Sequence, residues 1–276
     1  MNRTEYLVDR EWLRQELNNP QVVIVDCRFQ LANPGWGEQV YQQSHIQGAY
    51  YLNLDRDLAS AVERHGGRHP LPNPKLLGAK LAQMGIVQNE TLVVAYDDSR
   101  FAYASRLWWL LRYLGHDQVV LLNGGWNGWL ESDLPVSDII PDRQTGHFVA
   151  QPHSDWLVDL GTVQLAQNRD EVIIVDSRDR DRYLGQREPI DPIAGSIPGA
   201  VNSPWKQVSN EAGYLQSLAV QKQLWSDYLE AGEIIVYCGS GVTACVNLLS
   251  LSMTGYKNTK LYPGGWSDWC SYLATT

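Results

Sequence analysis

The chain has 276 residues, 44% hydrophobic and 19% charged, a balance that supplies a core and excludes a wholly disordered chain. Its 22 Lys and Arg against 31 Asp and Glu leave a net charge of −9 with no long basic run, which argues against nucleic acid as a partner. No apolar run approaches the roughly 20 residues needed to span a bilayer, so no membrane association is expected. In chain order, the amino-terminal stretch MNRTEYLVDREWL lacks the apolar core of a secretory signal, and a cytoplasmic protein is expected. Val22–Asp26 reads as a short buried strand, β-branched and apolar on both faces. Leu92–Tyr96 reads the same way, followed by a helix over Ser99–Tyr113 and a strand over Val119–Leu122. Pro135, Pro141, Gly146 and Pro152 then punctuate a stretch without helical periodicity. Beyond it the series resumes with strands at Val172–Asp176 and Ile234–Tyr237, a helix over Gly241–Met253 and a strand at Lys260–Tyr262.

The series is one unit written twice. Val22-Val-Ile-Val-Asp-Cys-Arg28 matches Val172-Ile-Ile-Val-Asp-Ser-Arg178 at an offset of 150. His45-Ile-Gln-Gly-Ala49 matches Ser196-Ile-Pro-Gly-Ala200 at 151, and Asn123-Gly-Gly-Trp-Asn-Gly-Trp129 matches Pro263-Gly-Gly-Trp-Ser-Asp-Trp269 at 140. The fall of 11 between the last two offsets puts an insertion of that size in the first copy, within 55–74. Strand and helix alternate in both copies, which predicts an α/β fold with a mainly parallel sheet flanked by helices in each. The domains expected are 1–140 and 155–276, joined by a linker over 141–154.

Cys238 closes a buried strand and is followed by Gly239-Ser-Gly-Val-Thr243 and a helix. Backbone N–H groups at such a strand–loop–helix junction are unpaired and favour a thiolate. Gly239 and Gly241 allow successive N–H groups to converge on the sulfur as an anion nest. Cys27, Cys245 and Cys270 lack this setting and read as inert buried thiols. Other cysteine chemistries fall away. A phosphatase loop needs an arginine where Ala244 stands. A dithiol motif needs a cysteine where Gly241 stands, and no Cys and His cluster suits zinc. No metal or cofactor is expected, and Gly-x-Gly alone is too short for a nucleotide loop.

The motifs VDCR and VDSR, HIQGA and SIPGA, GGRHPLP, CGSGVTA and the paired GGW together resemble the two-domain rhodanese-type sulfurtransferases over nearly the whole chain. The resemblance implies two tandem rhodanese-like domains, the second catalytic and the first without its cysteine, with Asp97 or Asp98 at that position. Thiosulfate enzymes of the family carry two cations in the loop; CGSGVT is similar to the 3-mercaptopyruvate type. That type implies transfer from 3-mercaptopyruvate through a Cys238 persulfide to cyanide, a small thiol or a thioredoxin-like acceptor. It implies catalytic roles for Ser240, His69 and Asp55, and donor binding by Arg182 with the loop residues Gly239, Gly241, Val242 and Thr243. The family's second arginine should follow Glu188-Pro189, where none stands; Arg187 and Arg68 are the candidates to replace it. The alternatives are a thiosulfate sulfurtransferase and a non-catalytic rhodanese-like binding module.

Overall fold

The computed structural model describes residues 4–273. They form two compact units. The first comprises residues up to Ser60, Pro72–His153 and Ser209–Leu215; the second comprises Ala61–Leu71, Ser154–Val208 and residues from Gln216 onward. The chain thus changes unit at two internal segments that the repeats alone do not reveal.

The first unit runs β1 (Leu7–Val8), α1 (Arg10–Glu16), β2 (Val22–Asp26), α2 (Trp36–Gln43), β3 (His45–Ile46), β4 (Tyr50–Tyr51), α3 (Leu54–Asp57), α4 (Pro74–Ala82), β5 (Leu92–Tyr96), α5 (Ala104–Tyr113), β6 (Val119–Leu122), α6 (Gly125–Leu130) and β7 (Val136–Ser137). Its parallel sheet has the order β1-β6-β5-β2-β4, with Ile24 facing Val94 across β2 and β5. The two central strands are Val- and Ile-rich because helices cover both faces of a parallel sheet. The core gathers Ile24, Val94, Tyr96, Val120, Trp126 and Trp129. Of the linker expected over 141–154, residues 141–153 are bonded along this unit: the N–H groups of Gln144, Gly146 and Gln151 donate to the carbonyls of Gln83, Ala82 and Leu114.

The second unit repeats the plan with α7 (Leu160–Ala166), β8 (Val172–Asp176), α8 (Arg180–Tyr183), β9 (Val201–Asn202), α9 (Leu218–Trp225), β10 (Glu233–Tyr237), α10 (Ala244–Thr254), β11 (Thr259–Leu261) and α11 (Gly265–Leu273). Its parallel sheet has the order β11-β10-β8-β9, with Ile235 facing Ile174. Every residue of β10 is buried. The same lock recurs in both units. Asp26 and Asp176 each hold a buried arginine, Arg28 and Arg178, which lies over Trp126 and Trp266 respectively. Both arginines are therefore structural.

Two helices begin later than their hydrophobic pattern predicts. The one expected from Ser99 starts at Ala104, because Arg100 and Phe101 take φ of 59° and 72° and turn the chain before it can coil. The one expected from Gly241 starts at Ala244, because Gly241 sits at φ 69°. The last strand is displaced by one residue, to Thr259–Leu261.

Candidate active site

The central strand β10 delivers Cys238, 2% exposed, to the carboxyl edge of the second sheet. That edge is where open parallel sheets form their sites. The loop after it is pinned by α11. Trp266 N–H donates to the Cys238 carbonyl at 2.8 Å and Ser267 N–H to the Gly239 carbonyl at 2.9 Å. The backbones are in direct contact here: a Cβ on Gly265 would lie 2.5 Å from the Cys238 oxygen. The first unit shows the same crossing. Trp126 N–H donates to the Asp97 carbonyl at 2.9 Å, and a Cβ on Gly125 would lie 2.2 Å from that oxygen. Asp97, not Asp98, therefore holds the station of Cys238. Its buried carboxylate accepts N–H bonds from Ser99, Phe101, Tyr103 and Ala104 at 2.8, 3.0, 2.9 and 2.8 Å. This strand–loop–helix turn is a cradle for an anion, as backbone nests are elsewhere.

Residues 61–71 pack within the second unit as a strap across α11. Gly66 N–H donates to Asp268 Oδ1 at 2.6 Å and Arg68 N–H to Ser267 Oγ at 3.1 Å. The His65 ring stacks on Tyr272 at 4.0 Å and bonds Ser271 Oγ through Nδ1 at 2.8 Å. The strap sets His69, 5% exposed, against the loop: its Nδ1 lies 2.7 Å from Ser240 Oγ, also buried. A hydroxyl paired to an imidazole can donate to an oxyanion and pass a proton.

Two cations stand at the same loop. A Cβ on Gly239 would meet Arg68 Nη2 at 2.8 Å and both terminal nitrogens of Arg182 at 3.8 Å. Burial lowers the Arg68 guanidinium from its ordinary pKa and neighbouring Arg182 adds to this, while Cys238 pulls it the other way. Arg182 is held by Glu188, through Nε at 3.1 Å and Nη2 at 2.7 Å, and by Asp191 at 3.1 Å. Arg68 is paired with the other oxygen of Asp191. Arg187 is elsewhere: half-exposed and bonded to Asp181 at 2.5 Å. Of the two candidates to replace the missing arginine, Arg68 lies at this loop and Arg187 does not.

The structure thus gathers Cys238, Gly239, Ser240, Gly241, Val242, Thr243, His69, Arg68 and Arg182 in one unit. Asp55 belongs to the first unit, exposed in α3, its N–H donating to Asn53 Oδ1 at 2.9 Å. Sequence reasoning missed the anchors of the strap and the two carboxylates behind the arginines. One signal was available for the first: Asp268 stands where the other GGW copy has Gly128. Cys245 is fully buried, with its thiol on the Gly241 carbonyl at 3.4 Å. Among the described residues no group of three or more His, Cys, Asp or Glu side chains could hold a metal ion, and no helix is long and apolar enough to cross a membrane.

Comparison with known proteins gives a consistent set. Residues 9–132 and 160–272 match the rhodanese-like domain family. The chain is 39% identical, over 95% of its length and 94% of the relative's, to a Pseudomonas aeruginosa protein named "Probable 3-mercaptopyruvate sulfurtransferase". It is 29% identical, over 95% and 91%, to the thiosulfate sulfurtransferase of Rattus norvegicus. The crystal structure of SseA from Escherichia coli, described as a 3-mercaptopyruvate sulfotransferase, superposes with a TM-score of 0.82 at 30% identity, covering 96% of this chain and 100% of that one.

Proposed function

Because the chain belongs to the rhodanese family, we propose that it is a sulfurtransferase that takes sulfur from 3-mercaptopyruvate through a persulfide on Cys238. The observation that carries this reading is the His69–Ser240 pair at 2.7 Å, inside the loop that opens at Cys238. Mercaptopyruvate leaves as an enolate, and a hydroxyl backed by an imidazole suits that charge.

In the proposed reaction the Cys238 thiolate attacks the donor sulfur. The S–S bond forms as the donor's S–C bond breaks, and the electron pair passes into the ketone to give the enolate of pyruvate. Ser240 donates to the developing oxyanion, His69 serves the hydroxyl's proton, and the enolate carbon takes up the proton that the donor thiol releases. The outer sulfur remains on Cys238 as a persulfide anion. The amides of Gly239, Gly241, Val242 and Thr243 would hold it, as the equivalent turn holds the Asp97 carboxylate. Arg182 and Arg68 bind the donor carboxylate. The persulfide then passes its outer sulfur to a nucleophile: cyanide, a small thiol or a thioredoxin-like protein. No cofactor takes part. Asp55 is proposed as a further polar group of the reaction on the family resemblance alone.

The test uses reduced protein with each donor in turn. Intact mass should rise by about 32 Da with 3-mercaptopyruvate, with release of pyruvate, and little with thiosulfate. Cys238→Ser should keep its fold by circular dichroism, gain no mass and lose transfer by on the order of 10³-fold or more. Turnover by that variant would remove the mechanism. A second reading, thiosulfate as donor, is favoured by one observation: two guanidinium groups at Gly239 also suit a dianion.

A further inference from the structure

Asp191 lies behind both of the proposed donor-binding arginines. Its side chain is 2% exposed. One carboxylate oxygen pairs with Arg68 Nη1, and the other with Arg182 Nη2 at 3.1 Å. A single carboxylate therefore spans the two guanidinium groups, one oxygen to each. That sets their separation to the width of a carboxylate. Arg68 Nη2 remains at Gly239, 2.8 Å from the position of an added Cβ, with the Arg182 terminal nitrogens 3.8 Å from the same point.

Asp191 is itself fixed. Its N–H donates to Glu188 Oε1 at 3.0 Å, as does that of Ile190 at 3.1 Å. Glu188, 3% exposed, is clamped by Arg178 and Arg182. The cluster contains three cations (Arg68, Arg178, Arg182) and three anions (Asp176, Glu188, Asp191), all linked by ion pairs. It is electrically balanced, and Asp191 is the member that touches both arginines facing the loop.

We infer that Asp191 is the specificity-determining residue of the donor site. It spaces Arg68 and Arg182 for one carboxylate, and its charge disfavours a dianion there. This rests on the donor reading above. Mercaptopyruvate carries one carboxylate and a thiol, whereas thiosulfate carries two negative charges with no carboxylate plane to match. Removing the Asp191 charge leaves the cluster with one net positive charge and frees the guanidinium groups to move. Both changes favour the dianion, because an unscreened charge at close range is felt strongly in a partly buried site.

The experiment compares kcat/KM for 3-mercaptopyruvate and thiosulfate in the full-length wild type, Asp191→Asn and Asp191→Glu, with cyanide as acceptor. The ratio of thiosulfate to mercaptopyruvate efficiency should rise on the order of tenfold or more in Asp191→Asn. The rise should come from a lower KM for thiosulfate and a higher KM for mercaptopyruvate. Asp191→Glu keeps the charge and should hold the ratio within about threefold of wild type, though both efficiencies fall with the altered spacing. A merely structural Asp191 would lower both donors together and leave the ratio unmoved in both variants, which overturns the inference. Should Asp191→Asn fail to fold, Asp191→Ser removes the same charge and is read by the same ratio, a tenfold rise supporting the inference and an unmoved ratio overturning it, while an Asp191→Glu ratio that shifts as far as tenfold toward thiosulfate overturns the charge argument by itself. The mass of wild-type Cys238 after each donor reports separately on the reading beneath: no added sulfur from either donor removes that reading and this inference with it.

Discussion

The carboxylate of Asp97 sits under four N–H groups at the position its counterpart Cys238 holds in the second unit. Burial pushes its carboxyl up to about 6, the N–H bonds from Ala104, Ser99 and Tyr103 pulling the other way. An unfolded aspartate titrates near 3.9. The folded chain therefore holds this proton more tightly than the unfolded one does. Stability from the group is fully present below about pH 4 and is lost as pH rises through about 6, on the order of 3 kcal/mol in all. Asp97→Asn cannot titrate. Urea unfolding at pH 4.5 and pH 7 should show the stability of that variant gaining on wild type as pH rises; a constant difference would sink the idea. A buried charge at a site proposed to have no reaction of its own is a cost that the cradle reduces without cancelling. The sequence proposed Cys238 from its strand–loop–helix setting, and Ser240, His69 and Arg182 through a family resemblance whose motifs are local. It could not separate Asp97 from Asp98, since the two loops differ in length and only the crossing of Trp126 fixes the register. Asp191 was beyond it altogether: a carboxylate that matters through two arginines distant in sequence has no local signature.

At the scale of elements, the loops carry what the strands only position. Gly241 has φ 69°, and a Cβ there would lie 2.4 Å from the Pro263 carbonyl oxygen. Both the torsion and the contact oppose any side chain. Gly241→Ala should lower stability by about 1–3 kcal/mol by denaturant unfolding and should slow persulfide formation even in the molecules that remain folded. An alanine variant with wild-type stability and rate would show that the turn tolerates another path. Central strands were legible to the residue, as at Val22–Asp26 and Val172–Asp176, because burial on both faces demands unbroken β-branched runs. Helix starts were not. The apolar periodicity of Ser99–Tyr113 extends through residues that the chain spends on a tight turn, and the positive φ of Arg100 and Phe101 leaves no mark in composition.

For the whole molecule, the insertion in the first copy was legible as an offset, but its destination was not. Residues 61–71 belong to the second unit, and 209–215 to the first. The exchange has a direct consequence for activity. A fragment of residues 154–276 lacks Arg68 and His69, so it should retain less than about 1% of full-chain transfer. Coexpression with residues 1–153 should restore it, since that piece carries the strap. Comparable activity in the isolated fragment would show that the strap is dispensable. Sequence repeats divide a chain by descent, whereas packing divides it by contact, and the two divisions part company at these segments.

The strap also sets a clock. Its bonds to α11 close over separations of 199, 202 and 206 residues. Contacts so distant in sequence form slowly, because the loop must be closed before anything rewards it. During synthesis at roughly 5–20 residues per second, the strap emerges roughly 10–40 seconds before α11, the helix it docks on. Throughout that interval the strap has no α11 to bond, and the proposed site stays incomplete. On the proposed mechanism, a nascent chain halted before α11 has emerged should therefore take up no sulfur from 3-mercaptopyruvate, whereas one halted beyond α11 should gain it.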